Sequence, residues 1–171
     1  MKELLPVPRA VAAVYSRPRL VRTLGIFSRL SSLCVAVIYS ATLAITFWQD
    51  GIYAARLAAV ALAPFVIVTV VRHLIDRPRP YEVYDLSAYT GERVGHREGH
   101  SFPSRHVFSA AVIGTSLCFV SLPLGILVLV LGVCMGACRV LLAIHHLSDV
   151  ICGGLIGIIS GVVGMIIINA V

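Results

Sequence analysis

Charge is scarce in this 171-residue chain: 14 lysines and arginines and 8 aspartates and glutamates make up 13% of it. A soluble domain carries roughly a quarter charged residues. With 58% hydrophobic residues and a mean hydropathy of +0.95, the shortfall excludes a water-facing globule and indicates a membrane protein. Cysteines are few, odd in number and never in a CxxC pair: Cys34, Cys118, Cys134, Cys138 and Cys152. That excludes a disulfide framework or structural zinc site and leaves them as small, soft packing residues in apolar runs. No Gly/Ser- or Pro-rich linker, long-period repeat or low-complexity tract occurs. Residues 1–171 therefore read as one unit, with a basic interfacial segment over 1–29 and a transmembrane core over 30–171. Nothing alternates with period two over short segments, so a β-barrel is excluded in favour of helices. The apolar run after Arg29 is too long for a cleaved signal peptide, and the N-terminus is expected to be retained.

What is present is a series of five apolar runs, at about 30–48, 52–74, 107–122, 124–144 and 150–171. Each approaches the roughly 17–25 residues that cross a bilayer as a helix; the third is short without its polar first turn near Pro103. The expected fold is an all-α membrane bundle of about five transmembrane helices plus an N-terminal interfacial helix. Lys2, Arg9, Arg17, Arg19, Arg22 and Arg29 precede the first run against Glu3 alone, which suits anionic headgroups and not nucleic acid. Gly132 and Gly136, then Gly153, Gly157 and Gly161, recur at a spacing of four on single helix faces. Packing within the chain is preferred for them over a dimer interface, and the oligomeric state stays open. Residues 76–101 form a long polar link containing Tyr81, Tyr84 and Tyr89, readable as a lid or as an ordinary interfacial loop.

Polar residues gather at three span ends. The second run ends Arg72-His73-Leu74-Ile75-Asp76-Arg77-Pro78-Arg79-Pro80; the third begins Ser101-Phe102-Pro103-Ser104-Arg105-His106. The fourth ends with Arg139, followed by His145, His146 and Asp149. Alternating chain direction brings all three to one membrane face, while the other has little beyond Gln49, Asp50 and Arg56. Ionisable groups at membrane depth are expensive and mark function. Arg72, Arg79, Arg105 and Arg139 outnumber Asp76 and Asp149, and convergent guanidinium groups bind phosphate through forked, charge-assisted hydrogen bonds. Pro103 suits the first turn of the third helix, where Ser104 and free backbone N–H groups add donors. Histidines in such an anion site can act as nucleophile or proton carrier. If helical geometry persists, Asp149, four residues on, can orient His145.

The three clusters resemble the motif set of the type 2 phosphatidic acid phosphatase and vanadium haloperoxidase superfamily: KxxxxxxRP, PSGH and SRxxxxxHxxxD. Here the parts read Arg72-x6-Arg79-Pro80, Pro103-Ser104-Arg105-His106, and Cys138-Arg139-x5-His145-x3-Asp149, over residues 72–149. The resemblance implies a metal- and cofactor-independent phosphatase. His145 would attack phosphorus to form a phosphohistidine, Asp149 would orient it, and His106 would protonate the leaving oxygen and then activate water. Arg72, Arg79, Ser104 and Arg139 would hold the phosphate oxygens. Arg72 stands for the family lysine, Cys138 for the serine before the arginine, and Arg105 for the PSGH glycine. Arg105 is expected either to restrict headgroups or to add a phosphate contact.

On an ideal helix Arg139 aligns better with His146 than with His145, so the choice of His145 rests on the resemblance, and a loosened helix end near Ile144 would reconcile the two. His73, His96, His100 and His146 read as loop or interface histidines. A metal hydrolase using His106, His145, His146 and Asp149 is disfavoured by four neighbouring cations. A transporter or non-catalytic binding protein is disfavoured by the lack of an inverted repeat. The expected substrate is a lipid phosphate or diphosphate, prenyl or glycerolipid, in a bacterial inner membrane. Basic residues before the first span favour a cytoplasmic N-terminus and site. Six-span members of the resembled family place the site outside, and the two readings disagree.

Overall fold

The computed structural model describes residues 5–90 and 99–170; the readings for Lys2, Glu3, His96 and Val171 lie outside them. Among the described residues the regular secondary structure is helical, apart from one isolated parallel bridge between Leu5 and Tyr84. The elements are α1 (Arg9–Tyr15), α2 (Pro18–Gln49), α3 (Gly51–Ile75), α4 (Pro80–Val83), α5 (Ser87–Thr90), α6 (Arg105–Val120), α7 (Leu122–Leu141) and α8 (Leu147–Ala170). Helices α2, α3, α7 and α8 are long and apolar enough to cross a membrane, and α6 is a shorter apolar helix of 16 residues. The protein is an integral membrane helical bundle.

Sharp reversals follow from local chemistry. Asp50 alone separates α2 from α3, and its carboxylate caps α3 by accepting from the N–H groups of Ile52 and Tyr53, each at 2.9 Å. Ser121 alone separates α6 from α7, with Pro123 in the first turn of α7, where its missing N–H is not needed. The separate N-terminal helix is shorter than the expected segment to residue 29. Pro18 starts α2, nothing after it breaks the helix, and its 32 residues run about 48 Å against about 30 Å of hydrocarbon. Arg19 and Arg22 therefore sit on the overhanging first turns of a spanning helix.

Helix α6 lies at the centre, packed against α7 on one side and α8 on the other, with α2 and α3 closing the bundle. Nine of its residues are buried, Phe108 and Leu117 fully, so a length of about 24 Å suffices because protein, not lipid, surrounds it. Outer helices are inverted relative to a soluble protein: Trp48, Leu74, Val133 and Ile52 are each at least 70% exposed, as lipid requires. The glycine rows pack within the chain. A Cβ on Gly157 would stand 2.6 Å from the Phe108 carbonyl oxygen, one on Gly161 2.8 Å from Thr115, and one on Gly132 2.8 Å from Ala110. With no hydrophobic drive between helices in lipid, this backbone approach holds α8 and α7 against α6.

Chain direction puts the C-terminal ends of α3 and α7 and the N-terminal ends of α6 and α8 at one end of the bundle. The N-terminal residues join them. Tyr15 donates its hydroxyl to the Leu142 carbonyl at 2.9 Å, and Val11, Tyr15, Leu86 and Ala143 form a small apolar cluster with Tyr81 and Tyr84 against it. Part of the long link is thus packed structure. Tyr89 is exposed, and residues 91–98, where a lid would have to be sought, lie outside the described residues.

Candidate active site

Helix α7 ends at Leu141, and the chain unwinds before α8. Ala143 takes a positive φ of 53°, and the N–H groups of Ile144 and His145 both return to the Arg139 carbonyl, at 2.9 and 3.3 Å. That loosening carries His145 off the ideal helical path and buries it to 2% exposure, close to Arg139. His146 turns away, half-buried, with Nε2 3.3 Å from the Pro78 carbonyl. The ambiguity between the two histidines is therefore resolved by a helix end, not by a helix face.

Asp149, in the first turn of α8, is fully buried. Its Oδ2 accepts from the Ser101 hydroxyl at 2.5 Å and from the His146 N–H at 2.9 Å, the second being the reciprocal arm of a capping box. Its Oδ1 accepts from Arg77 Nη1 at 2.8 Å. His145 Nδ1 is 3.7 Å from Oδ2, too far for a good hydrogen bond but close for an ion pair. Ser101 fills the gap: its oxygen is 3.4 Å from His145 Nδ1 while its proton goes to Asp149. The expected direct helical pairing of His145 with Asp149 is thus replaced by a pair bridged through Ser101, because His145 precedes the helix that carries Asp149.

Arg72 is buried near the end of α3, and its Nη1 donates to the Pro103 carbonyl at 2.9 Å, with the Ser101 carbonyl at 3.5 Å. It therefore clamps the loop that leads into α6. Arg79 is buried too: its Nε donates to the Gly99 carbonyl at 3.1 Å, while the Glu82 carboxylate accepts from the N–H groups of Arg79 and Gly99. Ser104 is the N-cap of α6 and completely buried, with Pro103 just before it and not in the first turn as expected. Its N–H donates to the Asp149 carbonyl at 3.0 Å, which locks α6 to α8. A Cβ on Gly153 would stand 2.7 Å from the Ser104 carbonyl oxygen, so only glycine permits this approach.

The Ser104 hydroxyl and Arg139 Nε are both buried and have no hydrogen-bond partner among the described residues. Buried polar groups are rarely left so. Arg79, Arg105, Arg139 and Asp149 lie within electrostatic reach of Arg72, and His106 within reach of Arg139, His145, Arg105 and Arg72. The guanidinium groups, the unsatisfied Ser104 hydroxyl and the first-turn N–H groups of α6 suit a tetrahedral oxyanion carrying two negative charges. His106 is exposed and lines a cavity with Arg105. Burial holds the His145 imidazole below its ordinary 6.5, with Arg79, Arg139 and Arg72 adding to the effect and Asp149 opposing it.

All eight residues singled out from the sequence thus gather at one end of the bundle. His73 and His100 pack against each other at a tilt, with centroids 4.7 Å apart. Among the described residues no three His, Cys, Asp or Glu side chains are grouped to hold a metal ion. Sequence reasoning overlooked Ser101, Arg77 and Glu82. Arg77 was legible only as another charge in a basic run, and Ser101 as a polar residue two positions before the PSRH quartet.

The PAP2 superfamily profile matches residues 52–171. No curated protein matches the sequence. The crystal structure of LpxE from Aquifex aeolicus is similar, with a TM-score of 0.67 and 23% identity over 87% of each chain. So is that of a transmembrane PAP2-type phosphatidylglycerolphosphate phosphatase from Bacillus subtilis, with a TM-score of 0.71 and 21% identity over 95% of this chain and 83% of that one. At these identities the likeness is one of fold. The matched segment takes in all three polar clusters, and the chain belongs to the PAP2 superfamily.

Proposed function

We propose that this protein hydrolyses a lipid phosphate or diphosphate through a phosphohistidine at His145. The carrying observation is the set of buried, unsatisfied donors, Ser104 Oγ and Arg139 Nε, among the arginines that surround a buried histidine–aspartate pair. His145 Nδ1 faces Ser101 and Asp149, which leaves Nε2 to attack phosphorus. Arg72, Arg79, Arg139 and Ser104 hold the equatorial oxygens and stabilise their charge in the transition state, with Arg105 beside His106 on the side of the departing group. His106 protonates the departing oxygen, then takes a proton from the water that cleaves the P–N bond. A site at the end of a lipid-facing bundle suits a phosphate presented at the headgroup level. The purified chain in detergent should release phosphate from at least one member of a panel of prenyl diphosphates, phosphatidic acid and phosphatidylglycerol phosphate. Vanadate should block that release and EDTA should not. Release that requires an added metal ion and resists vanadate would refute the mechanism.

The acid limb of activity supplies a second test. Attack requires neutral His145, and its lowered pKa keeps it neutral as pH falls through 6.5. The plateau of kcat/KM should therefore extend below pH 6.5 and fall only at lower pH, after correction for the substrate phosphate, whose second ionisation lies near about 6. Replacing Arg77 by glutamine removes the cation 2.8 Å from Asp149 and leaves that carboxylate freer to hold a proton on the imidazole. The limb should then move to higher pH, and Arg77→Lys should move it partly back. The other titratable and charged groups facing this pair are Arg79, Arg139 from α7, Arg72 from α3 and His106 from α6, all unchanged in the variant.

The N-terminal helix and the site share one end of the bundle, and the basic residues there outnumber those at the other end. By the charge rule this end is cytoplasmic, in a bacterial inner membrane. A C-terminal alkaline phosphatase fusion should then be active, because Ala170 ends α8 at the opposite face. A C-terminal fusion that fluoresces as cytosolic green fluorescent protein would reverse the assignment.

A further inference from the structure

The side of the site that carries Arg105 has a composition of its own. Between α2, α3, α6 and α7 lies a cavity of about 280 Å³, walled by Val35, Phe65 and Met135 and lined at its polar end by Arg105 and His106. His145 and Asp149 do not line it. Arg105 is half-buried, projects from the first turn of α6, and has no hydrogen-bond or ion-pair partner among the described residues. Of the other arginines near the histidines, Arg72 and Arg79 are committed to backbone carbonyls and Arg77 to Asp149, while Arg139, its Nε unpartnered, does not line this cavity.

In-line displacement places the departing oxygen opposite the nucleophile. With His145 attacking, the departing group lies on the side of His106, and so toward this cavity. Whatever follows the scissile bond meets the Arg105 guanidinium before it meets the apolar walls. A partly desolvated cation there favours a departing group that is itself anionic. A lipid monophosphate expels a neutral alcohol. A lipid diphosphate expels a lipid monophosphate, whose charge would sit against Arg105. The cavity is at the small end of ligand pockets, enough for the group beside the scissile bond, while the rest of the chain stays in the bilayer.

We propose that Arg105 makes this protein a lipid diphosphate phosphatase by holding the inner phosphate in the cavity beside His106. The inference rests on the phosphohistidine reading above. The P–N bond forms from His145 Nε2 to the terminal phosphorus as the bond from that phosphorus to the bridging oxygen breaks. The electron pair stays on the bridging oxygen, and the product leaves as the lipid monophosphate. Water then cleaves the P–N bond and yields inorganic phosphate, which frees His145. Arg105 neutralises charge that grows on the departing group, so its contribution is largest where that group is a phosphate.

The test compares farnesyl diphosphate with farnesyl monophosphate, which share a chain, on the purified full-length protein in detergent. Wild-type kcat/KM should favour the diphosphate by about tenfold or more, and Arg105→Gly should lower the diphosphate-to-monophosphate ratio by about tenfold. Arg105→Gln should do the same without loosening the helix, and Arg105→Lys should retain part of the preference. Monodispersity in detergent shows that each variant is folded. A ratio unchanged in Arg105→Gln, or a wild-type preference for the monophosphate, overturns the proposal while leaving the phosphatase reading intact. Release of phosphate from neither compound nor any lipid of the panel, or release that survives His145→Ala, defeats the phosphatase reading itself.

Discussion

Replacing His145 by alanine is expected to lower phosphate release by at least about 10,000-fold, to the background of the assay. In the proposed mechanism the effect is large because the side chain is the nucleophile: with no P–N bond formed, the arginines can only bind. Substrate affinity should survive, since Arg72, Arg79 and Ser104 are held by the loop before α6 and by α8, not by the imidazole. The fold should survive as well. Asp149 keeps its bonds to Arg77, Ser101 and the His146 N–H, so no buried charge is orphaned. His145→Gln, closer in volume, serves as a second variant against loss of packing. Retained affinity for vanadate or a lipid phosphate, with no turnover, is the expected pattern. Steady turnover by either variant would mean that another group attacks phosphorus.

The second large effect is structural. Gly157→Leu should prevent assembly of the bundle or destabilise it by several kcal/mol. Even a Cβ there would stand 2.6 Å from the Phe108 carbonyl oxygen, 2.7 Å from the Ala111 Cβ and 3.0 Å from the Val112 N. Two of these neighbours are backbone atoms of the central helix and cannot rotate away. Overpacking a core by a few carbon atoms costs about 1–3 kcal/mol where side chains can give, and more where backbones must part. Separating α8 from α6 would also break the Ser104 N–H bond to the Asp149 carbonyl and pull Asp149 from Ser101. Gly154→Ala is the control. A Cβ there meets only Val107 Cγ1 at 3.8 Å, an ordinary contact, and it should leave the midpoint of thermal unfolding in detergent nearly unchanged. Equal behaviour of the two variants would remove the case for glycine-mediated packing.

Much of this site was legible along the chain because a bilayer imposes strong constraints. Apolar runs must become helices, short links force reversals, and polar residues at span ends are then sorted by direction alone. Arg72, Arg79, Ser104, Arg105, His106, Arg139, His145 and Asp149 could be assembled on that basis. The start of α2 was less legible, because arginines that forbid mid-bilayer burial do not forbid an overhanging helix, and Pro18 is a valid first residue.

By itself the sequence determined the all-α membrane class and the end of the bundle at which the arginines, histidines and Asp149 gather. Hydropathy and charge are properties of segments and need no contacts to be read. Only the tertiary structure decided which histidine enters the site, since unwinding after Leu141 buries His145 and turns His146 out. It also decided that Ser101 bridges His145 to Asp149, that Arg77 pairs with Asp149, and that Arg105 shares a cavity with His106. Ser101 and Arg77 meet His145 and Asp149 from segments far apart in the chain, and the cavity is closed by residues of four helices. No periodicity within one helix can specify such distances.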